Sequence, residues 1–240
     1  SLYAGAELRG RTQAHHGNFN NLTLDGRAGM IFSLGRQDSL RAGVLVNSYT
    51  LGGERYRKSA GVNGEWTHAF SPANQLSIFG QRVNYRYVDS ALQSQDINQG
   101  IAGASWAYTF PDGKSLLFAS AFYGKEKDVD PVSASNLTGG RADGEKQFTG
   151  VRAGGQISLG DRFDVFASGG AVDGKYGKLN SSFQVTRHDR QVDVALGGNW
   201  HLDDRWTLRP QVSWARNYCN ILIYRYERLE ALLALRREFR

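Results

Sequence analysis

The side chains able to do chemistry are thinly spread along this chain. His15 and His16 stand together in HHGNFN, a pair that can ligate a metal, although a histidine pair in a polar segment ordinarily reads as a solvated loop. His68, His188 and His201 fall near expected strand ends, with no spacing that assembles a site. Asp128, Asp130, Asp143 and Glu145 concentrate charge that attracts calcium, but they lack the fixed spacing of a calcium-binding loop and read as a solvated acidic segment. The single cysteine, Cys219, excludes an internal disulfide and a cysteine-based zinc site, and is expected to be inert. No G-x-S-x-G, H-E-x-x-H, P-loop or G-x-G-x-x-G occurs. These residues point to no catalytic group, no metal and no cofactor.

The group that does recur is the arginine side chain, set at alternate positions of otherwise apolar stretches. Arg27, Arg41, Arg57, Glu65, Gln81, Arg152, Arg209, Arg228 and Glu230 have this placing. Arg9, Asp25, Gln156 and Gln211 share it. Alternate positions of an extended strand face opposite ways, so these residues belong to one polar face. Such a face can be a positively biased, hydrated conduit, or a salt-bridge network in which Asp25, Glu65 and Glu230 neutralise their neighbours. Sequence leaves the two open, because it does not say which strands oppose one another.

The elements that must hold this face are strands. The chain has 240 residues with 29 Gly, 12 Phe, 11 Tyr and 5 Trp, but only 4 Pro and 1 Met, a composition unlike a disordered chain or a helical bundle. No run of apolar residues is long enough for a membrane helix. The mean hydropathy of −0.46 still allows a membrane β-barrel, which hides its apolar residues at every second position. The net charge of +6 and pI near 9.5 suit acidic partners such as phosphorylated lipid or an anionic polymer. With no dense Lys/Arg tract and no RNP-like or zinc-finger pattern, nucleic acid is not expected. The opening SLYAGAELRG has neither a charged nor an apolar leader region.

Period-2 alternation runs along almost the whole chain. In LTLDGRAGMIFSL, Leu22, Leu24, Ala28, Met30, Phe32 and Leu34 share a face against Asp25, Arg27 and Ser33. VDVALGGNWHL and WTLRPQVSW repeat the pattern. Strands are expected at 2–12, 21–34, 39–51, 56–70, 75–87, 98–110, 115–126, 146–159, 163–174, 186–202, 206–217 and 226–239. Several are long enough for the roughly 9 to 11 tilted residues that cross a bilayer. Short turns (GRQD, SPAN, PDGK, GDR, DDR) alternate with longer polar segments such as 87–98 and 124–146. Trp66, Phe70, Trp106, Phe110, Trp200 and Trp206 cluster near strand ends. The expected fold is therefore all-β, a single domain over residues 1–240. It is a transmembrane up-and-down antiparallel β-barrel of about 12 strands, lying in the bacterial outer membrane among its lipids. A soluble sandwich or solenoid would have shorter strands and more Pro. Residues 227–238 (ERLEALLALRRE) are strong helix formers, yet an even strand count makes the last segment the closing strand, with Arg237 toward lipid near an interface.

The end of the chain resembles a known family. Arg216, Asn217, Asn220, Ile221, Tyr224, Tyr226, Arg228 and Glu230, closing with RREF, resemble the C-terminal strands of surface lipoprotein assembly modifiers. The hairpins LGRQDSLRAGV and LDDRWTLRPQVSW are similar in style to that family's barrel. The resemblance implies a fourteen-stranded barrel following a tetratricopeptide-repeat domain, so that this chain begins two strands into the barrel. It implies assistance in moving lipoprotein cargo to the cell surface, without catalysis, through a passage or lateral gate between the first and last strands. Phe239 resembles the terminal aromatic read by the barrel assembly machinery. The alternative is a passive or polysaccharide-exporting pore with an arginine-lined, anion-favouring lumen. An outer-membrane enzyme or adhesin stands third.

Overall fold

The computed structural model describes residues 1–12, 17–131 and 139–237. Twelve strands follow in chain order: β1 (Leu2–Arg11), β2 (Asn21–Ser33), β3 (Asp38–Leu51), β4 (Glu54–Ser71), β5 (Asn74–Tyr87) and β6 (Ile97–Thr109). After them come β7 (Leu116–Asp128), β8 (Lys146–Ser158), β9 (Phe163–Asn180), β10 (Val185–His201), β11 (Trp206–Cys219) and β12 (Tyr226–Arg237). Each pairs antiparallel with the next, giving one up-and-down sheet in the order β1 to β12. Among the described residues the only helices are short 3-10 turns.

The strands form because every second residue is apolar, and the ladder shows which way those residues point. Leu40, Trp66, Ile78, Ala104 and Ala121 lie on one face through successive register pairs, with Val194, Val212 and Leu229. That face is open: Val194 is 52% exposed, Leu196 57% and Leu229 72%, while no large side chain is fully buried among the described residues. A water-soluble sheet of this size would bury such a face against a second layer. Here lipid takes that place.

Near the short-turn end the same face carries a belt of aromatic rings. Trp66 stacks on His68 at 5.9 Å and Trp106 on Tyr108 at 6.3 Å, and Arg237 sits over Trp206 at 5.2 Å. Amphipathic rings of this kind suit a membrane–water interface. They also explain why Arg237 is tolerated on the lipid side.

The opposite face packs rings into glycine gaps. Phe148 lies over Gly124, Phe122 over Gly150 and Phe166 over Gly197, so any Cβ at those glycines would strike a ring. Phe122 and Phe148 meet edge-on at 6.3 Å. The high Gly and Phe content is thus a packing device.

Three expectations change. The ladder runs further at the long-connection end than apolar alternation indicates: β4 begins at Glu54, β7 reaches Asp128, and β9 and β10 form a hairpin turning only at 181–184. The polar residues there blur the hydrophobic pattern while the backbone ladder continues. The β3–β4 turn is likewise only Gly52–Gly53, with φ of 60° and 90°, the left-handed pair that a two-residue hairpin needs. Finally, β12 is a strand in spite of its helix formers, because all twelve of its residues pair with β11. It does not act as the closing strand: among the described residues β12 pairs only with β11 and β1 only with β2. Closure depends on strand number and stagger, which alternation does not encode. Residues 238–239, with the terminal Phe239, lie outside the described residues, as do His15 and His16.

Candidate functional site on the polar face

Register places all the sequence-derived polar positions on one face, away from the apolar band. Arg9 pairs with Thr23, Asp25 with Asn47, Arg41 with Glu65, and Arg57 with Tyr49 and Tyr87. Gln81 opposes Asn63, Arg27 opposes Leu45, and Arg152 opposes Ser120. Gln156 opposes Phe166, Gln211 opposes Gly197, Arg228 opposes Ala215 and Glu230 opposes Ser213. Arg209, paired with Ala234, completes the set.

The set forms two separate groups. On β1 to β5, Arg9 Nη2 donates to Asp25 Oδ2 at 2.8 Å and Asn47 Nδ2 donates to Asp25 Oδ1 at 2.7 Å. Arg41 lies 3.7 Å from Glu65 Oε2. Arg57 sits over the rings of Tyr85 and Tyr49, at 5.0 and 5.9 Å, where its Nε is buried without a partner. Arg27 lies over Gly5 and has no carboxylate partner among the described residues. With Asp25, Asn47, Arg57, Gln81 and Tyr85 it lines a cavity of about 400 Å³.

On β8 to β12, Arg152 Nη2 donates to both oxygens of Asp193, and Arg209 lies 4.4 Å over the Phe166 ring. Asn199 donates to Gln156 at 3.5 Å, and Arg228 lies 3.5 Å from Glu230. Arg152, Gln156, Asp193, Asn199, Arg209 and Arg228 line a cavity of about 610 Å³. Four of the arginines therefore already hold carboxylates, Arg9, Arg41, Arg152 and Arg228.

A third group, at the long-connection end, was not legible in the sequence. Arg187 donates to both oxygens of Asp189 at 3.0 and 2.7 Å and to Asp143 at 3.2 Å, and lies 3.6 Å over the Tyr224 ring. Asn180 Nδ2 donates to Asp143 Oδ1 at 2.7 Å. Arg141 donates to Glu126 at 2.6 Å and to Asp128 at 2.9 Å, and its pKa is raised: burial lowers it, but the bonds from those carboxylates outweigh that. The solvated acidic segment is thus a correction. Asp128 and Asp143 are buried against arginines that reach them from sequence-distant positions, and Glu145 pairs with Lys125 at 3.4 Å. These bonds strap the β7–β8 connection onto β7, β9 and β10. Cys219 is buried beside them, its Sγ accepting the Ile221 amide at 3.3 Å.

The remaining histidines each face a carboxylate: His68 with Asp38 at 3.0 Å, His188 with Asp173 at 2.8 Å, His201 with Asp164 at 3.1 Å. Among the described residues no group of His, Cys, Asp and Glu could hold a metal ion.

An exposed apolar band with an aromatic belt, backed by a polar and hydrogen-bonded face on an up-and-down sheet, defines an outer-membrane β-barrel. Solved structures agree on the fold. A FadL homologue of Pseudomonas aeruginosa matches with a TM-score of 0.54 at 11% identity, over 98% of this chain and 71% of that one. The siderophore receptor PirA of Acinetobacter baumannii matches with a TM-score of 0.51 at 8% identity, over 100% of this chain and 41% of that one. This chain spans about two fifths of the length of such receptors. No curated protein sequence matches. The chain belongs to the surface lipoprotein assembly modifier family, which it matches over residues 1–239. Its place is the outer membrane.

Proposed function

We propose that this single barrel domain helps lipoproteins cross to the cell surface, with the polar face lining a hydrated lumen and the β1–β12 seam as the moving part. The reading rests on the two edges: in a sheet where every other strand has two neighbours, β1 and β12 have one each among the described residues. Strand edges facing hydrocarbon leave amides and carbonyls unsatisfied, so the wall opens, or accepts further strands, at least cost here. In this reading Arg27, Arg41, Arg57, Glu65, Gln81, Arg152, Arg209, Arg228 and Glu230 keep the passage wet, and no reaction is catalysed. Lipoprotein cargo and the barrel assembly machinery are the partners.

The test co-expresses the protein with a lipoprotein reporter and scores reporter cleavage by protease added to intact cells. Surface exposure is expected to fall to background without the barrel, and equal exposure with and without it overturns the reading. A photocrosslinking residue at Ala231 of β12 is expected to capture the reporter, whereas one at Ala104 of β6 is not. Equal capture at both removes the seam from the mechanism.

Arg27 favours a second reading, an anion-preferring pore, because it is an inward cation with no carboxylate partner among the described residues. A steady anion-selective current that R27E abolishes supports the pore, and a silent bilayer sets it aside.

A further inference from the structure

Towards the long-connection end, the outward face changes from apolar to basic. Lys58 on β4, Arg82 on β5, Lys127 on β7 and Lys175 on β9 lie on the lipid side of the ladder, all exposed. None has an ion pair or hydrogen-bond partner among the described residues. Arg86, also outward on β5, spends its donors on Tyr85 O, Ile97 O and Asn98 Oδ1 and lies 3.8 Å from Asp96, just before β6. The outward positions of β4 to β7 carry no carboxylate among the described residues. At about 3.3 Å per residue and a tilt of about 40°, Lys127 stands ~28 Å beyond the level of Leu116, near the upper edge of an apolar band about 25 Å tall.

Register gives this patch a cleft. Arg82 opposes Gly100 on β6, and Gly100 opposes Lys125 on β7, so one row reads Arg82, Gly100, Lys125. A Cβ at Gly100 would meet nothing within 4 Å, which leaves a gap between the two cations. Adjacent strands are about 4.8 Å apart, so the flanking backbones stand ~10 Å apart. Long side chains on either side can close on a tetrahedral anion from above the glycine floor, with Lys127 one alternate position higher. Lys125 shares its charge with Glu145, whereas Arg82 and Lys127 keep theirs.

We propose that this outward wall binds the phosphate of an outer-leaflet lipid headgroup in the cleft over Gly100, held by Arg82, Lys125 and Lys127. Short turns mark the periplasmic side and longer connections the outer side, so the patch meets the outer leaflet, whose lipids carry phosphate. On the β1 side of the seam the matching wall lacks these charges, with β1 and β2 presenting Leu8, Gly10, Leu22 and Leu24 at that level, and on the β12 side Arg216 is paired with Glu227 at 3.8 Å. A bound lipid therefore anchors the wall away from the moving edges.

The test adds bis-phosphorylated lipid A, dephosphorylated lipid A or inorganic phosphate to the full chain in detergent, and counts retained lipid by native mass spectrometry. Wild type is expected to retain bis-phosphorylated lipid A and neither of the other two. Each removed cation costs about fivefold in affinity, so R82Q/K127Q falls about 25-fold. G100L, which fills the cleft without changing charge, also loses binding, whereas R36Q/R162Q at the periplasmic turns does not. Heat-dependent gel mobility confirms that each variant is folded. Equal retention of phosphorylated and dephosphorylated lipid A, or unchanged retention by folded R82Q/K127Q, overturns the proposal. Retention of inorganic phosphate alone overturns its assignment to a lipid.

Discussion

Arg152 on β8 and Asp193 on β10 bond across the strand between them, Nη2 donating to the two carboxylate oxygens at 2.8 and 2.7 Å. The strand they cross is β9, and the residue beneath is Gly170, in register with both. A Cβ there would lie 3.1 Å from Arg152 Nη2. The missing side chain is what lets the pair meet.

Breaking this pair has a bounded effect. Asp193→Asn is expected to cost at most about 1 kcal/mol, because Arg152 is 42% exposed and solvent screens an exposed pair. A double-mutant cycle with Arg152→Gln, read by urea unfolding in micelles, measures the coupling. Gly170→Leu is expected to abolish that coupling while both charges remain.

The ring-over-glycine contacts carry more. Gly124→Val places a branched side chain where the Phe148 ring lies, and overpacking of this kind costs about 1–3 kcal/mol. Phe148→Ala in the same chain should recover part of the loss, as read by unfolding midpoint. Equal destabilisation of the single and double variants would show that the ring does not fill the gap.

The two faces of β10 predict opposite responses to one substitution. Val194→Arg puts a charge on the lipid face and should cost about 2–4 kcal/mol near mid-bilayer. Ala195→Arg, one residue on, points to the polar face and should cost much less. Folding yield into vesicles compares them directly, and similar yields would contradict the assigned faces.

Acid should loosen one short turn. The Ser115 hydroxyl, the Ser115 amide and the Lys114 amide all donate to Asp112 and hold its carboxyl below the usual carboxylate range. A depressed folded value means the stabilisation is complete above the unfolded pKa of about 3.9 and is lost as pH falls through the folded one. Protection of the Ser115 amide from exchange should therefore hold at neutral pH and fade only below about pH 4. Asp112→Asn should remove that pH dependence.

The sequence alone determined the number of strands, their direction of travel and the face on which each side chain lies. Side-chain period is two, and short turns such as Ser71–Asn74 and Asp203–Arg205 allow little slip. Arg27, Arg152 and Glu230 could therefore be put on one face before any register was known. The family resemblance was legible at the C-terminal end for the same local reason. Partnership across strands was decided only by the tertiary structure. Arg152 finds Asp193 over Gly170, Arg187 finds Asp143 and Tyr224, and among the described residues β1 and β12 stay edges. Each depends on stagger accumulated strand by strand, a quantity that no local pattern of residues contains.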